Sequence, residues 1–499
     1  MASESGRTRR PVRRERGSPL REAWRYSRGR LETSLGGAER TRVVVVLACV
    51  LALNGADTAT VGASATELRH GLHISNTDVG LLVTVTSLVA AVATLPFGVL
   101  ADRVRRTWTL GGAILLWGAA MAWSAAVSSF GELLLSRLFL GAVTAAAGPL
   151  IASLVGDYFE AGERGRIYGF ILAGELLGAG FGFAVTGDVA TLSWRAAFVV
   201  LAVPAFALAW AAFRLPEPKR LDESAREETD ELWLDAGGGA HPRATDAQQL
   251  AQEHGIEPDP ALVLRGDVRR MGLISATRYV LRVRTNVILI AASACGYYFI
   301  AGVQTFGVEF AKDQYGVGQA LANVLLLVVG IGAVLGVLAG GIVGDLLVRR
   351  RHLNGRVIIS AVSAAAATLL FLPALFASTA TSAVIWLMVA GFALSAQNPP
   401  LDAARLDIMP PQLWGRAEAI RTVLRGLAQA LAPLLFGVVS DYVFGGGRFG
   451  LQWTFVLMLV PLGVSAFLLF KALRTYPADV ASAAATAAQT PPRRARGRA

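Results

Sequence analysis

The feature that most constrains this chain is the near end-to-end recurrence of apolar stretches of about 20 residues. Wound as a helix, such a stretch matches the hydrocarbon thickness of a bilayer. In lipid every backbone N–H and C=O needs an internal partner, so a spanning segment is either a helix or part of a closed barrel. The runs here are continuous and lack the every-second-residue alternation of barrel strands, which selects helices. Twelve can be placed, at about 43–63, 79–100, 108–128, 132–156, 167–190 and 196–213, then 286–308, 319–345, 356–377, 382–406, 417–441 and 451–473. The expected fold is an all-α membrane protein of twelve transmembrane helices. Hydrophobic residues make up 54% of the 499, and a soluble chain of that length would need several domains with polar surfaces.

The formal net charge is +11. Its placement speaks against a nucleic-acid partner, because the excess sits in both tails, in a central linker and in the loops of one side. Arg103, Arg105 and Arg106 follow the second run, Arg164 and Arg166 the fourth, and Arg349, Arg350 and Arg351 the eighth. That is the positive-inside pattern, so both termini and the linker are expected to be cytoplasmic, in a multi-pass protein of the cell membrane. Arg9 and Arg10 do not read as a twin-arginine signal, since no apolar region comes before Val43. Residues 1–42 and 475–499 are expected to be disordered cytoplasmic tails. Cys49 and Cys295 lie inside apolar runs, are expected to be buried and reduced, and imply no disulfide framework.

A polar linker, 215–285, separates six-helix bundles at 43–214 and 286–474. It is acidic from Asp222 to Asp235 and Gly-rich at Gly237–Gly239. From Arg265 to Arg284 it mixes Arg with Leu, Ile, Val and Tyr at helical spacing, which predicts an amphipathic helix in the membrane interface; a solvated linker is the alternative. The two halves repeat each other. Gly98, Asp102 and Arg106 after the second run match Gly341, Asp345 and Arg349 after the eighth in spacing. Asp157 with Gly165-Arg166 matches Asp407 with Gly415-Arg416. Two matches in the same order point to duplicated halves, a common construction for secondary transporters.

The segment Gly98…Asp102-Arg103…Arg106 resembles the signature loop of the major facilitator superfamily, and Trp194-Arg195-Ala196-Ala197-Phe198 resembles another of its marks. The resemblance covers about 43–475. Within that superfamily the chain is similar to Spinster-like transporters in lacking glycine between Val104 and Arg106, and in Asp57, Arg137, Gly141 and Asn398-Pro399. Spinster-like proteins are associated with lysolipids and sphingosine phosphate. They usually carry a glutamate seven residues after the arginine of helix 4, where this chain has Thr144. The resemblance implies alternating access between two halves. It also implies a conformational latch at the cytoplasmic surface made by Gly98, Asp102, Arg103 and Arg106 with Gly341, Asp345 and Arg349. Charge pairs of this kind bias a two-state motion by a few kcal/mol at most. Topology alone explains the arginines but not the aspartates, and Asp157 and Asp407 are candidates for the same system.

An ionisable side chain inside the bilayer is costly and so is a functional candidate by default. Asp57 lies about 21 Å into the first run, and Arg137 near the outer end of the fourth. An ion pair between them is geometrically allowed and would suit proton coupling; a static pair holding the helices together is the alternative. Glu175 lies near the midplane of the fifth run, at a depth similar to Thr144, and is a substitute for the missing glutamate. Asn54, Gln304 and Asn398 could bond a substrate or a neighbouring helix. Pro399-Pro400 should interrupt the tenth helix. No P-loop, no clustered metal ligands and no nucleophile–His–carboxylate set is visible, so neither an enzyme nor a cofactor is expected. The function expected is proton-coupled efflux of a small amphipathic or lipid-like solute by a monomer. Uptake or exchange of a small organic solute, and a non-transporting sensor, are the alternatives. An anionic cargo would require a free cation in the cavity, and Arg137 is the clear one in the sequence.

Overall fold

A computed structural model describes residues 37–159, 161–218, 245–264 and 271–489. Among them every regular element is helical. Twelve helices are long and apolar enough to cross a membrane. In the first half they are Ala38–Ala63, Asn76–Thr94, Arg106–Ala126, Phe130–Tyr158, Gly169–Leu192 and Trp194–Phe213. In the second half they are Arg284–Tyr315, Gln319–Arg349, Gly355–Phe376, Ala380–Asp407, Arg416–Val443 and Gly447–Ala488. They are called the first to the twelfth span below. The first span begins, and the sixth and twelfth end, on the side that carries residues 245–264. This is the linker side, and the opposite end is the far side.

Hydrophobic burial gives little drive to helix association in lipid, so the seams depend on close backbone approach. In the fifth span Gly174, Gly178 and Gly182 lie against the backbone carbonyls of Ala48, Ala52 and Ala56 in the first, where any Cβ would collide. Gly332, Gly336 and Gly340 of the eighth span meet the carbonyls of Met388, Phe392 and Ala396 in the tenth in the same way. The centre of the second half is aromatic: Phe299, Phe371, Phe436 and Phe455 interlock edge to face or tilted, and Phe306 stacks on Phe436. Large apolar side chains such as Leu177, Ile342 and Phe467 remain exposed on the outer faces, as lipid-facing residues would be.

The halves repeat each other's irregularities. The fourth span is two helices, Phe130–Thr144 and Ala147–Tyr158, and the tenth is Ala380–Ala396 and Asn398–Asp407. The fifth and eleventh spans each contain a π-helical turn, Gly182–Thr186 and Val439–Val443. As the sequence suggests, Pro399-Pro400 interrupts the tenth span, with the break at Gln397. It opens the new helical segment, where the missing N–H costs nothing, and packs against Gly341 and Gly344.

Four expectations change. The first span already starts at Ala38, inside the expected tail. The last helix runs from Gly447 to Gln489, 43 residues or about 65 Å, so residues 475–489 are helix rather than disordered tail. They are held there because Tyr476, Val480 and Ala481 join Ala247, Leu250 and Leu262 of the linker in a second apolar cluster. The linker helix Asp246–Glu253 begins at a capping box of Thr245 and Gln248, and the buried Gln248 amide donates to the Asp407 carbonyl at 2.8 Å. The Arg265–Arg284 stretch forms a helix only over Leu273–Arg282 among the described residues, with Ala276, Tyr279 and Val280 buried. Its residues 265–270, and the acidic and Gly-rich stretches within 219–244, lie outside the described residues. Cys49, expected buried, is exposed, one helical turn from Leu53 of the first span; Cys295 is half-buried, and both are free thiols.

Candidate functional site

The first span carries Asp57 to the place where the fourth carries Arg137. Arg137 Nη1 donates to Asp57 Oδ1 at 2.8 Å, with both side chains buried. The guanidinium also lies over the Phe198 ring, 4.7 Å from its centroid. Its Nε and Nη2 have no hydrogen-bond partner. A buried pair satisfied through one donor is poised: neutralising the carboxylate leaves an arginine with little else to hold it.

About one turn nearer the linker side, the side chain of Asn54 lies beside that of Glu175. Asn54 and Thr144 line one narrow cavity of about 30 Å³, whose other walls include Leu53, Leu110, Ile114 and Trp117. Thr144 closes the first helix of the broken fourth span, its hydroxyl donating to the Gly141 carbonyl at 3.1 Å. Glu175 therefore reaches this pocket through Asn54. The result is a narrow apolar slot with a polar rim.

Two other candidates lie elsewhere. The Gln304 carbonyl sits where the seventh span crosses Gly62 of the first, so close that a Cβ at Gly62 would collide with it. Asn398 begins the second helix of the tenth span and is half-buried. Its neighbour Gln397 is fully buried, donates to the Leu394 carbonyl at 3.0 Å and leaves its Oε1 without a partner.

A set of hydrogen bonds and ion pairs joins the two halves on the far side. Arg69 pairs with the buried Glu309, and Lys312 with Glu67 at 2.8 Å. The Asn323 amide donates to Asp188 at 2.8 Å. The Thr77 backbone and hydroxyl both donate to Asp441, and the Asn76 amide donates to Ser440 at 3.2 Å. The sequence reading ended the seventh span at 308, one residue short of Glu309, and so missed this set. The signal was the continuation of that helix to Tyr315.

On the linker side each half satisfies its own charges. Arg106 is buried against Asp157, donates through Nε to Glu217 at 3.0 Å and through Nη1 to the Ser153 hydroxyl at 2.9 Å. Burial opposes ionisation of Glu217, but hydrogen bonds from Thr107 and Arg106 outweigh it and hold this carboxyl below the usual range. In the second half the corresponding residue is Arg356, which bridges Asp345 at 2.8 Å and Asp407 at 2.6 Å. Arg106 stands 51 residues before Asp157, and Arg356 stands 51 before Asp407. Arg349, paired with Asp345 by spacing in the sequence reading, is exposed instead, because the turn after the eighth span brings the start of the ninth onto both aspartates. Gly98, Asp102 and Arg103 fall in the last turns of the helix Asn76–Arg103, and their side chains lie outside the described residues.

A charged group that sequence reasoning passed over lies on the tenth and eleventh spans. Glu418 pairs with Arg405 at 2.7 Å and with Arg421, and Asp402 pairs with Arg405 at 2.9 Å. One further turn along, Arg425 lies over the Tyr297 ring, 4.2 Å from its centroid. The available signal was Arg421 and Arg425 four apart inside an apolar run, which puts them on one helix face.

Residues 47–387 match the family model described as Major Facilitator Superfamily. Over 165 residues the chain is 28% identical to a probable L-galactonate transporter of Escherichia coli, covering 33% of this chain and 36% of that one. It is 26% identical over 392 residues to mouse protein spinster homolog 3, covering 75% and 70% of the two chains. Among solved structures it is similar to a bacterial homologue of the human lysosomal transporter Spinster in an inward-facing, unoccupied conformation. There the TM-score is 0.69 at 18% identity, over 89% of this chain and 98% of that one, a likeness of fold.

Proposed function

This chain belongs to the Major Facilitator Superfamily, and from that premise we propose that it is a secondary transporter exporting a small amphipathic organic solute in exchange for protons. The observation that carries the reading is the buried Asp57–Arg137 pair in a molecule whose halves are joined on the far side. The arginine-rich loops support a cytoplasmic linker side, which makes this an inward-facing arrangement. Cargo enters from the cytoplasm and reaches the slot rimmed by Asn54 and Thr144. Protonation of Asp57 frees Arg137, and the fourth and first spans can then shift relative to each other. Rocking of the halves separates Arg69 from Glu309 and Glu67 from Lys312, opening the far side. Glu175, beside Asn54 at the slot, is the second group able to carry a proton and to sense cargo. The residues that resemble Spinster-like transporters, which are associated with lysolipids, support a lipid-like cargo. The name of the E. coli relative favours a second reading, uptake of a sugar acid, although that match spans about a third of either chain.

The test is the purified protein in liposomes with a pH-sensitive dye inside, offered a lysophospholipid, a medium-chain fatty acid and an amphipathic cation. Wild type moves protons when cargo is added, and Asp57→Asn slows this at least about tenfold. Equal proton flux in Asp57→Asn makes the Asp57–Arg137 pair structural. Labelled cargo crossing without protons makes the protein a facilitator. Sided addition separates export from uptake.

A further inference from the structure

Arg137 is engaged by Asp57, so the cation that the sequence offered to an anionic cargo is taken. Arg425 is different. Among the described residues no carboxylate lies within ion-pair distance of it, its Nε has no hydrogen-bond partner, and its one described contact is the Tyr297 ring. It lies eleven residues, about 16 Å, along the helix that begins at Trp414, and Tyr297 lies thirteen residues, about 20 Å, beyond Arg284. Both helices start on the linker side, so the two meet well inside the membrane. Helical spacing puts Arg425 on the face that carries Glu418 and Arg421, whereas Leu424, Leu427, Leu431 and Leu435 form the exposed apolar stripe of the same helix. A Cβ at the adjacent Gly426 would meet open space.

A guanidinium carries a fixed charge and a planar fork of donors that matches carboxylate or phosphate oxygens. Stacked on an aromatic ring it keeps its orientation while its edge stays free. Held inside a membrane without a counter-ion, such a group is costly and is favoured when a ligand supplies the charge. We propose that Arg425, braced by Tyr297, is an anion-recognition site in the second half, taking the carboxylate or phosphate head of an amphipathic cargo. This rests on the transport reading above and narrows it: the cargo is an organic anion, and its apolar part lies toward the slot of Leu53, Ile114 and Trp117.

The test is equilibrium binding to the full chain in nanodiscs, without a pH gradient, using octanoate, octyl phosphate, octylammonium and octyl glucoside. The anionic compounds bind more tightly than the cationic and neutral ones of equal chain length, and octanoate against octyl phosphate identifies the preferred head. Arg425→Gln weakens anion binding about tenfold or more, the loss of a charge-assisted hydrogen bond, while Arg425→Lys keeps part of it. Melting temperatures of both variants are measured alongside. No preference for the anionic heads overturns the proposal, as does unchanged binding by Arg425→Gln. A loss shared equally by all four compounds, together with a lowered melting temperature, makes Arg425 a structural brace and also overturns it. Proton-coupled flux without anion preference defeats this inference alone. Arg425-dependent anion binding without any flux defeats the transport reading and leaves the site standing.

Discussion

Arg356 is held by oxygens of two aspartates, Asp345 and the fully buried Asp407, and Asp407 also accepts a 2.6 Å hydrogen bond from the Tyr476 hydroxyl. Removing the guanidinium leaves a buried carboxylate with one neutral donor, and breaking such a pair costs about 3–5 kcal/mol. Arg356→Ala should therefore lower thermal stability markedly. Arg349→Ala, at an exposed position, should stay within about 0.5 kcal/mol of wild type. Equal effects would return the role to Arg349. The same scale shows which residues a sequence reveals. Asp57, Arg137 and Glu175 stand out as charges within apolar runs. Glu309 does not, since it falls at the edge of its run and only its burial against Arg69 marks it. Arg425 stands within an apolar run too, but only its missing counter-ion sets it apart from Arg421.

At the scale of helices, small residues at two kinds of crossing do different work. Gly178 lies within the first half, against the Ala52 carbonyl. Gly62 and Gly80 lie between the halves on the far side, against Gln304 and Pro433. Gly178→Leu should fail to give a stable protein, because a seam between two helices of one bundle has no second position. Gly62→Leu should fold and wedge the far side apart, since the halves have an alternative arrangement. The check is a single cysteine placed near the far end of the seventh span. Its labelling by an impermeant reagent should rise several-fold in Gly62→Leu. Unchanged labelling in a folded Gly62→Leu would show that the crossing does not gate access. The breaks in the fourth and tenth spans belong to this scale too. Hydropathy runs through Ala145 without a pause, and only hydrogen bonding along the backbone divides the fourth span there, whereas Pro399-Pro400 announces the break in the tenth.

For the whole molecule, the two-state motion predicts that tying the far side closed stops transport. Asn76 and Ser440 are bonded across the halves, and Gly437 of the eleventh span abuts the Asn76 carbonyl, so the backbones lie within reach of a disulfide. In a background with Cys49 and Cys295 replaced by serine, Asn76→Cys with Ser440→Cys should lose cargo flux on oxidation and regain it on reduction. Undiminished flux in the oxidised protein would contradict a moving far side.

The twelve spans, their division into two halves and the duplicated aspartates were determined by the sequence alone, because lipid leaves a spanning chain almost no choice but a helix of fixed length. Which charges meet was decided by tertiary structure, because pairing depends on how helices distant in sequence are rotated and brought together. Asp57 could have faced several spans, and only the crossing with the fourth put it on Arg137. The linker side follows the same rule. Arg356 reaches Asp345 and Asp407 through a turn whose path spacing does not record. The last residues of the twelfth span remain helical because the linker covers their apolar face. Closure of the far side is likewise a property of the folded halves, since each of its bonds joins residues more than a hundred positions apart.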